Sequence, residues 1–89
     1  MDWKISLSRQ ADKFLQQRHL PDKFAIEPVK RAICKLSGET VTVNLKRLTG
    51  EWAGCYRARI GKIRVIFSVD FEKRVVLIEV VDNRGSAYR

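Results

Sequence analysis

In the run Tyr56-Arg57-Ala58-Arg59-Ile60-Gly61-Lys62-Ile63-Arg64-Val65-Ile66-Phe67, basic and apolar side chains alternate on either side of a glycine. Successive side chains of a strand point to opposite faces, so Arg57 and Arg59 share one face while Tyr56, Ala58 and Ile60 share the other. A two-residue turn at Gly61-Lys62, with glycine first, suits a type II′ hairpin. Ile60 then pairs with Ile63 and Arg59 with Arg64, and Ile63, Val65, Phe67 and Val69 continue the apolar face. Like charges directly opposite one another destabilise a sheet. Arginines splayed over an ordinary solvated face would escape that repulsion. An anion bridging them would remove it, and planar forked donors suit phosphate.

Few other reactive groups accompany this cluster. His19, the single histidine, falls at the end of the first helix and reads as a surface residue or a cap. No carboxylate pair, Ser-His-Asp set or Gly-rich phosphate loop stands out. Cys34 and Cys55 lie in different elements, with no Cys-x-x-Cys and no neighbouring His. They read as small buried hydrophobes in a reducing compartment, so neither a disulfide nor a zinc site is expected, nor any other cofactor. Arginines alone can still act on RNA, because its backbone brings its own nucleophile, the 2′-hydroxyl. The protein then has to hold that hydroxyl in line with the phosphate and stabilise the added charge. Lys46-Arg47 either tracks an RNA backbone or solubilises an edge strand. Trp52, between Gly50 and Gly54, either stacks on a base or anchors its loop to the core.

The elements that must position these residues are legible from hydrophobic period. Trp3, Ile5 and Leu7 alternate with Lys4 and Ser6, a half-buried strand over Trp3–Leu7. Ser8 offers an N-cap, and Ala11, Phe14 and Leu15 share a helical face up to about Leu20. After Pro21-Asp22, Val29, Ala32, Ile33 and Leu36 recur at helical spacing up to Gly38, with Pro28 expected in the first turn. Asp22–Ile26 reads either as part of that helix or as a separate turn. Thr40–Leu48 is rich in β-branched residues, Thr49–Gly54 is a loop, and Cys55–Ile60, Ile63–Val69 and Arg74–Asp82 are strands. The expected fold is one α+β domain over 1–89 in β-α-α-β-β-β order: an antiparallel β-sheet with an N-terminal two-helix hairpin packed on one face.

Composition narrows the partners. Lys and Arg number 18 against 10 acidic residues, a formal charge of +8. That excess points to nucleic acid or an acidic protein, less directly to an acidic membrane surface, and otherwise to a solvated basic face. The 45% hydrophobic content is enough for a core in 89 residues. No apolar leader and no stretch of membrane-spanning length is present, so a cytoplasmic protein that engages no membrane is expected.

The stretch Leu48–Phe67 resembles the central signature of the RelE/ParE superfamily of toxins. That signature is a Leu, a Gly-rich loop with Trp, Tyr-Arg-x-Arg-x-Gly, two residues, then Arg-Val-Ile and an aromatic. The ending Asp82-Asn83-Arg84-Gly85-Ser86-Ala87-Tyr88-Arg89 resembles the family's late Arg followed by Tyr-Arg, and the opening strand and helix pair match as well. The resemblance implies a compact microbial ribonuclease-like fold. It also implies a toxin that cuts mRNA without metal, typically on the ribosome, and pairs with an acidic antitoxin in a hetero-oligomer. Carried over by position, Arg57 and Arg59 grip phosphate, Arg64 and Arg84 stabilise the transition state and leaving group, and Tyr88 stacks or orients.

Two departures bear on that reading. Several relatives carry Lys where this chain has Arg57 and Arg59, and an arginine that never loses its proton is a poor base. Many have Gly-His where this chain has Asp82-Asn83, which removes a histidine from proton transfer. The general base is therefore unassigned. Two other functions stay open: a ParE-like toxin that inhibits DNA gyrase and cuts nothing, and a non-toxic or degenerate RNA-binding relative. On the ribonuclease reading, losing Arg64 or Arg84 strongly reduces cutting and spares the fold, and losing Arg59 slightly stabilises it.

Overall fold

A computed structural model of the chain describes residues 3–83. Strand β1 (Lys4–Leu7) is followed by helices α1 (Arg9–Gln17) and α2 (Lys23–Leu36) and by strands β2 (Asn44–Arg47), β3 (Cys55–Ile60), β4 (Ile63–Asp70) and β5 (Val75–Asn83). The α+β class and the helix pair are as the sequence implies. The β-branched stretch after α2 adds a short strand, β2, so four strands follow the helices. They form one sheet in the order β1-β5-β4-β3-β2. Every pairing is antiparallel except that of β1 with β5, which is parallel. Nearly the whole chain separates those two strands, so no hairpin dictates their relative direction.

Apolar positions drive the packing. Ala11 and Leu15 of α1 and Ala25, Val29, Ala32 and Ile33 of α2 meet Ala58, Val65, Phe67, Val76, Ile78 and Val81 of the sheet, all 0–1% exposed. Both helices therefore lie on the sheet face that carries the even-numbered residues of β3, and the arginine face is turned away from them.

Local chemistry sets the helix ends. The Ser8 hydroxyl accepts from the Ala11 N–H (3.1 Å) and donates to the Glu79 carbonyl (2.6 Å), tying the start of α1 to β5. At the other end His19 takes a left-handed conformation (φ 56°). Its N–H donates to the Gln16 carbonyl, and the Leu20 N–H donates to the Leu15 carbonyl. This is a Schellman closure with His in the glycine place, so the histidine is an exposed cap and α1 stops before Leu20. Ser8→Ala removes a cap and strands the Glu79 carbonyl. The expected loss is about 1–2 kcal/mol by urea denaturation, and an unchanged midpoint would show the cap to be dispensable.

Pro28 departs from expectation: it lies in the interior of α2 and not in its first turn, because Asp22–Ile26 joins the helix. A proline there removes one backbone bond and crowds the carbonyl four residues back. Burial of Ala25, Pro28, Val29, Ala32 and Ile33 on one face outweighs that cost, since beginning the helix at Pro28 would take Ala25 off the core.

Candidate functional site

Strands β3 and β4 pair through Ile60↔Ile63, Arg59↔Arg64, Ala58↔Val65 and Arg57↔Ile66, the register that a two-residue turn predicts. Gly61 has φ 57° and Lys62 is not among the left-handed residues, which fits a type II′ turn. Arg57, Arg59 and Arg64 therefore share the face opposite the helices. Strand β2 adds Asn44 opposite Arg59 and Lys46 opposite Arg57. Strand β5 adds Asp82 opposite Arg64 and Val80 opposite Ile66. Two rows cross the sheet: Asn44–Arg59–Arg64–Asp82, and beside it Lys46–Arg57–Ile66–Val80. Ile66 is 1% exposed and is the apolar floor of this face.

The first row is more buried than a surface reading of the arginines allows. Arg64 and Asp82 are 6% and 7% exposed, and Arg64 Nε donates to Asp82 Oδ1 at 3.3 Å. Arg64 is thus half of an enclosed ion pair and not an arginine whose loss spares the fold. Burial pushes the Asp82 carboxyl above its ordinary 3.8, and the charge and hydrogen bond of Arg64 pull it part of the way back. Arg57 Nε and Asp82 Oδ2 are enclosed without a hydrogen-bond partner among the described residues.

A β-bulge sets the register of β5. Phe67 pairs with Ile78 but Ile66 with Val80, leaving Glu79 as the extra residue. The Cys55 thiol reaches Glu79 Oε2 at 3.8 Å. Burial first, then the charge and hydrogen bond of Glu79, push that thiol above 9.0, so Cys55 stays protonated and is no nucleophile. Among the described residues no three His, Cys, Asp or Glu side chains gather as a metal site would require.

The remaining sequence candidates are only partly brought together. Lys46 joins the arginine face, but Arg47, one residue on, points to the other. There its guanidinium lies 5.8 Å from the Tyr56 ring centre and Nη2 donates to the Tyr56 hydroxyl at 3.5 Å. Trp52 is half-buried in a 3₁₀ turn at Gly50–Trp52, in the loop closed by the Leu48 N–H to Cys55 carbonyl bond. It sits at the Cys55 end of β3, four residues or about 13 Å of strand from Arg59. Arg84 and Tyr88 lie outside the described residues. Sequence reasoning missed Asp82, Glu79 and Asn44 as members of this face. The alternation of Leu45 with Asn44 and Lys46 is the signal that could have found Asn44.

Fold and face define a small α+β protein whose sheet carries an arginine row on the side its helices leave open. No family model matches the chain. It is 37% identical over 70 residues, 79% of either chain, to the toxin RelG of Mycobacterium tuberculosis H37Rv. The RelE–RelB complex from Pyrococcus horikoshii OT3 contains a chain 30% identical to it, with TM-score 0.61 over 98% of this chain and 100% of that one. The toxin–antitoxin complex RelBE2 from M. tuberculosis matches at 31% identity and TM-score 0.61 over 94% and 100%. The chain belongs to the RelE-like toxins.

Proposed function

We propose that this toxin is a metal-independent endoribonuclease that cuts mRNA, on translating ribosomes, and is silenced by an acidic antitoxin. The observation that carries the reading is the register Arg59↔Arg64, with Arg57 and Lys46 in the adjoining row. A sheet gains nothing in stability from facing two guanidiniums across one ladder. A phosphate seated on them would gain charge-assisted, forked hydrogen bonds, and the arginines would stabilise the added charge of the in-line transition state. The 2′-hydroxyl attacks the adjacent phosphorus, the bond to the 5′-oxygen breaks, and a 2′,3′-cyclic phosphate and a 5′-hydroxyl result. Arg57 and Arg59 hold the phosphate in this scheme, Arg64 and Arg84 face the developing charge, Lys46 guides the backbone, and Tyr88 orients a base. Trp52 and Arg47, at the far end of β3 and on the other face, are left to the loop and to Tyr56. Pairing with an antitoxin is supported by the RelE–RelB and RelBE2 complexes, and a net charge of +8 suits an acidic partner.

Expression from a tight promoter without a partner is expected to stop growth, with new 5′ ends appearing inside a translated message by primer extension. Normal growth with soluble protein present overturns the toxin reading. Arrest with intact messages and broken chromosomal DNA overturns the ribonuclease and favours gyrase.

A further inference from the structure

The carboxylate of Asp82 has no part in the scheme above, yet it ends the arginine row. It lies opposite Arg64, which lies opposite Arg59. For stability alone this placement is hard to justify, since a buried ion pair generally gains little over packed apolar residues. One carboxylate oxygen takes the Arg64 Nε–H, and the other is enclosed without a partner among the described residues.

The backbone on either side of Asp82 is fastened. The Gln10 side-chain amide accepts from the Val81 N–H (3.0 Å) and donates to the Val81 carbonyl (3.2 Å), standing in for a neighbouring strand beyond the end of β1. With its oxygen turned to Arg18, the Asn83 amide accepts from Nη2 and Nη1 at 2.7 and 2.8 Å. The backbone that carries Asp82 is therefore held on both sides, and its side chain is tied to Arg64. The charged groups facing it are Arg64 from β4 and, one strand further, Arg59 from β3. Two other carboxylates stand on this face: Glu79 is turned to Cys55, and Asp70, at the far end of β4, accepts from the Lys73 N–H. Helix α1 presents Gln10 and Arg18 to its neighbours on β5.

We propose that Asp82 is a positioning residue of the ribonuclease site: it holds Arg64 by Nε beside Arg59 and keeps one negative charge under the phosphate-binding row. This rests on the ribonuclease reading. Two opposed consequences follow from a single charge. A fixed Arg64 meets the transition state without reorganising, which favours turnover. The same charge opposes an incoming phosphate, which weakens ground-state binding, and binding lost from the ground state alone does not slow the chemical step.

The test is Asp82→Asn, which keeps the shape and removes the charge. Against a 2′-O-methyl oligonucleotide that cannot be cut, the variant should bind about threefold or more tighter. Its salt dependence should steepen by about 0.7 in slope, as for one more phosphate contact on a single strand. On a defined translated message its saturating rate should fall on the order of 10–10²-fold with a lower KM. A residue serving only the fold would raise KM or lose soluble protein, and would not tighten binding. If wild type cuts and the variant binds and cuts like it, the role of Asp82 is overturned while the ribonuclease stands. If wild type neither binds nor cuts RNA, both fall.

Should Asp82→Asn not fold, the wild-type protein carries the same test. The uncuttable oligonucleotide must move the Arg64 Nε–H resonance and raise the pH at which the Asp82 carboxyl carbon titrates, because coupling between two ligands of one group is reciprocal. An unmoved titration in RNA-bound protein overturns the proposal.

Discussion

Arg59→Ala is expected to slow cleavage of a defined message about 10²–10³-fold while its melting stays close to that of wild type. The rate follows from losing one donor aimed at a developing negative charge. The stability follows from where Arg59 stands. It is half-buried and directly opposite another guanidinium, a pairing that costs the sheet on the order of 0.2–1 kcal/mol. Asp82 neutralises part of the Arg64 charge, which shrinks the gain that a bare arginine pair would give on removal. Lost packing of the arginine stem works in the opposite direction. The two terms are of similar size, so the net change stays within about 1 kcal/mol. Thermal melting and cleavage have to be measured on the same preparation. A variant that cuts normally would make Arg59 a bystander, and one inactive only because it unfolds would leave the row without a catalytic role.

That the sequence alone exposes this row is a matter of turn geometry. A two-residue turn with glycine first admits one register, and Ile60, Gly61, Lys62 and Ile63 leave no slack. Local turn chemistry therefore suffices to set Arg59 against Arg64. Nothing comparable constrains the next hairpin. If the pairing Phe67↔Ile78 ran on unbroken, Arg64 would face Val81, Ile63 would face Asp82, and the carboxylate would turn to the helices. The bulge at Glu79 inserts one residue, which exchanges the faces of all that follows and brings Asp82 to the arginines. No residue in Leu77-Ile78-Glu79-Val80-Val81 announces it, since the segment reads equally well as an even strand. The cause is tertiary: Ser8 binds the Glu79 carbonyl, and Gln10 binds Val81 two residues on.

Other misreadings share that origin. Lys46-Arg47 looks like one basic patch until the strand sends its members to opposite faces, and only pairing with β3 establishes which of them joins Arg57. Pro28 reads as a helix start because local geometry favours it there, and the apolar face of α2 overrides that preference. Period and turn chemistry thus carry the elements and one hairpin. Bulges, long-range caps and the competition between them decide which polar residues meet.

Arg64→Ala should have its largest effect on stability, with a pH dependence that identifies the cause. Removing one partner of a buried ion pair leaves the other charge uncompensated, at a cost of about 3–5 kcal/mol near neutral pH. The sign follows from Asp82. Its folded carboxyl already titrates above 3.8, so the folded chain binds a proton more readily than the unfolded one. The contribution of this group is therefore fully present below 3.8 and is lost as pH rises through the raised value. Without Arg64, the attraction that pulled the carboxyl back is gone, and the window widens upward. The deficit of Arg64→Ala against wild type should be greatest at neutral pH. It should shrink steadily on acidification and be smallest well below 3.8, where the carboxyl is protonated with or without its partner. Arg64→Ala/Asp82→Asn should recover part of the neutral-pH loss, because no buried charge is left to desolvate. Urea denaturation of the three proteins across that range measures each term. A deficit that stays constant with pH, with no recovery in the double variant, would assign the loss to packing of the Arg64 side chain and remove the charge from the explanation.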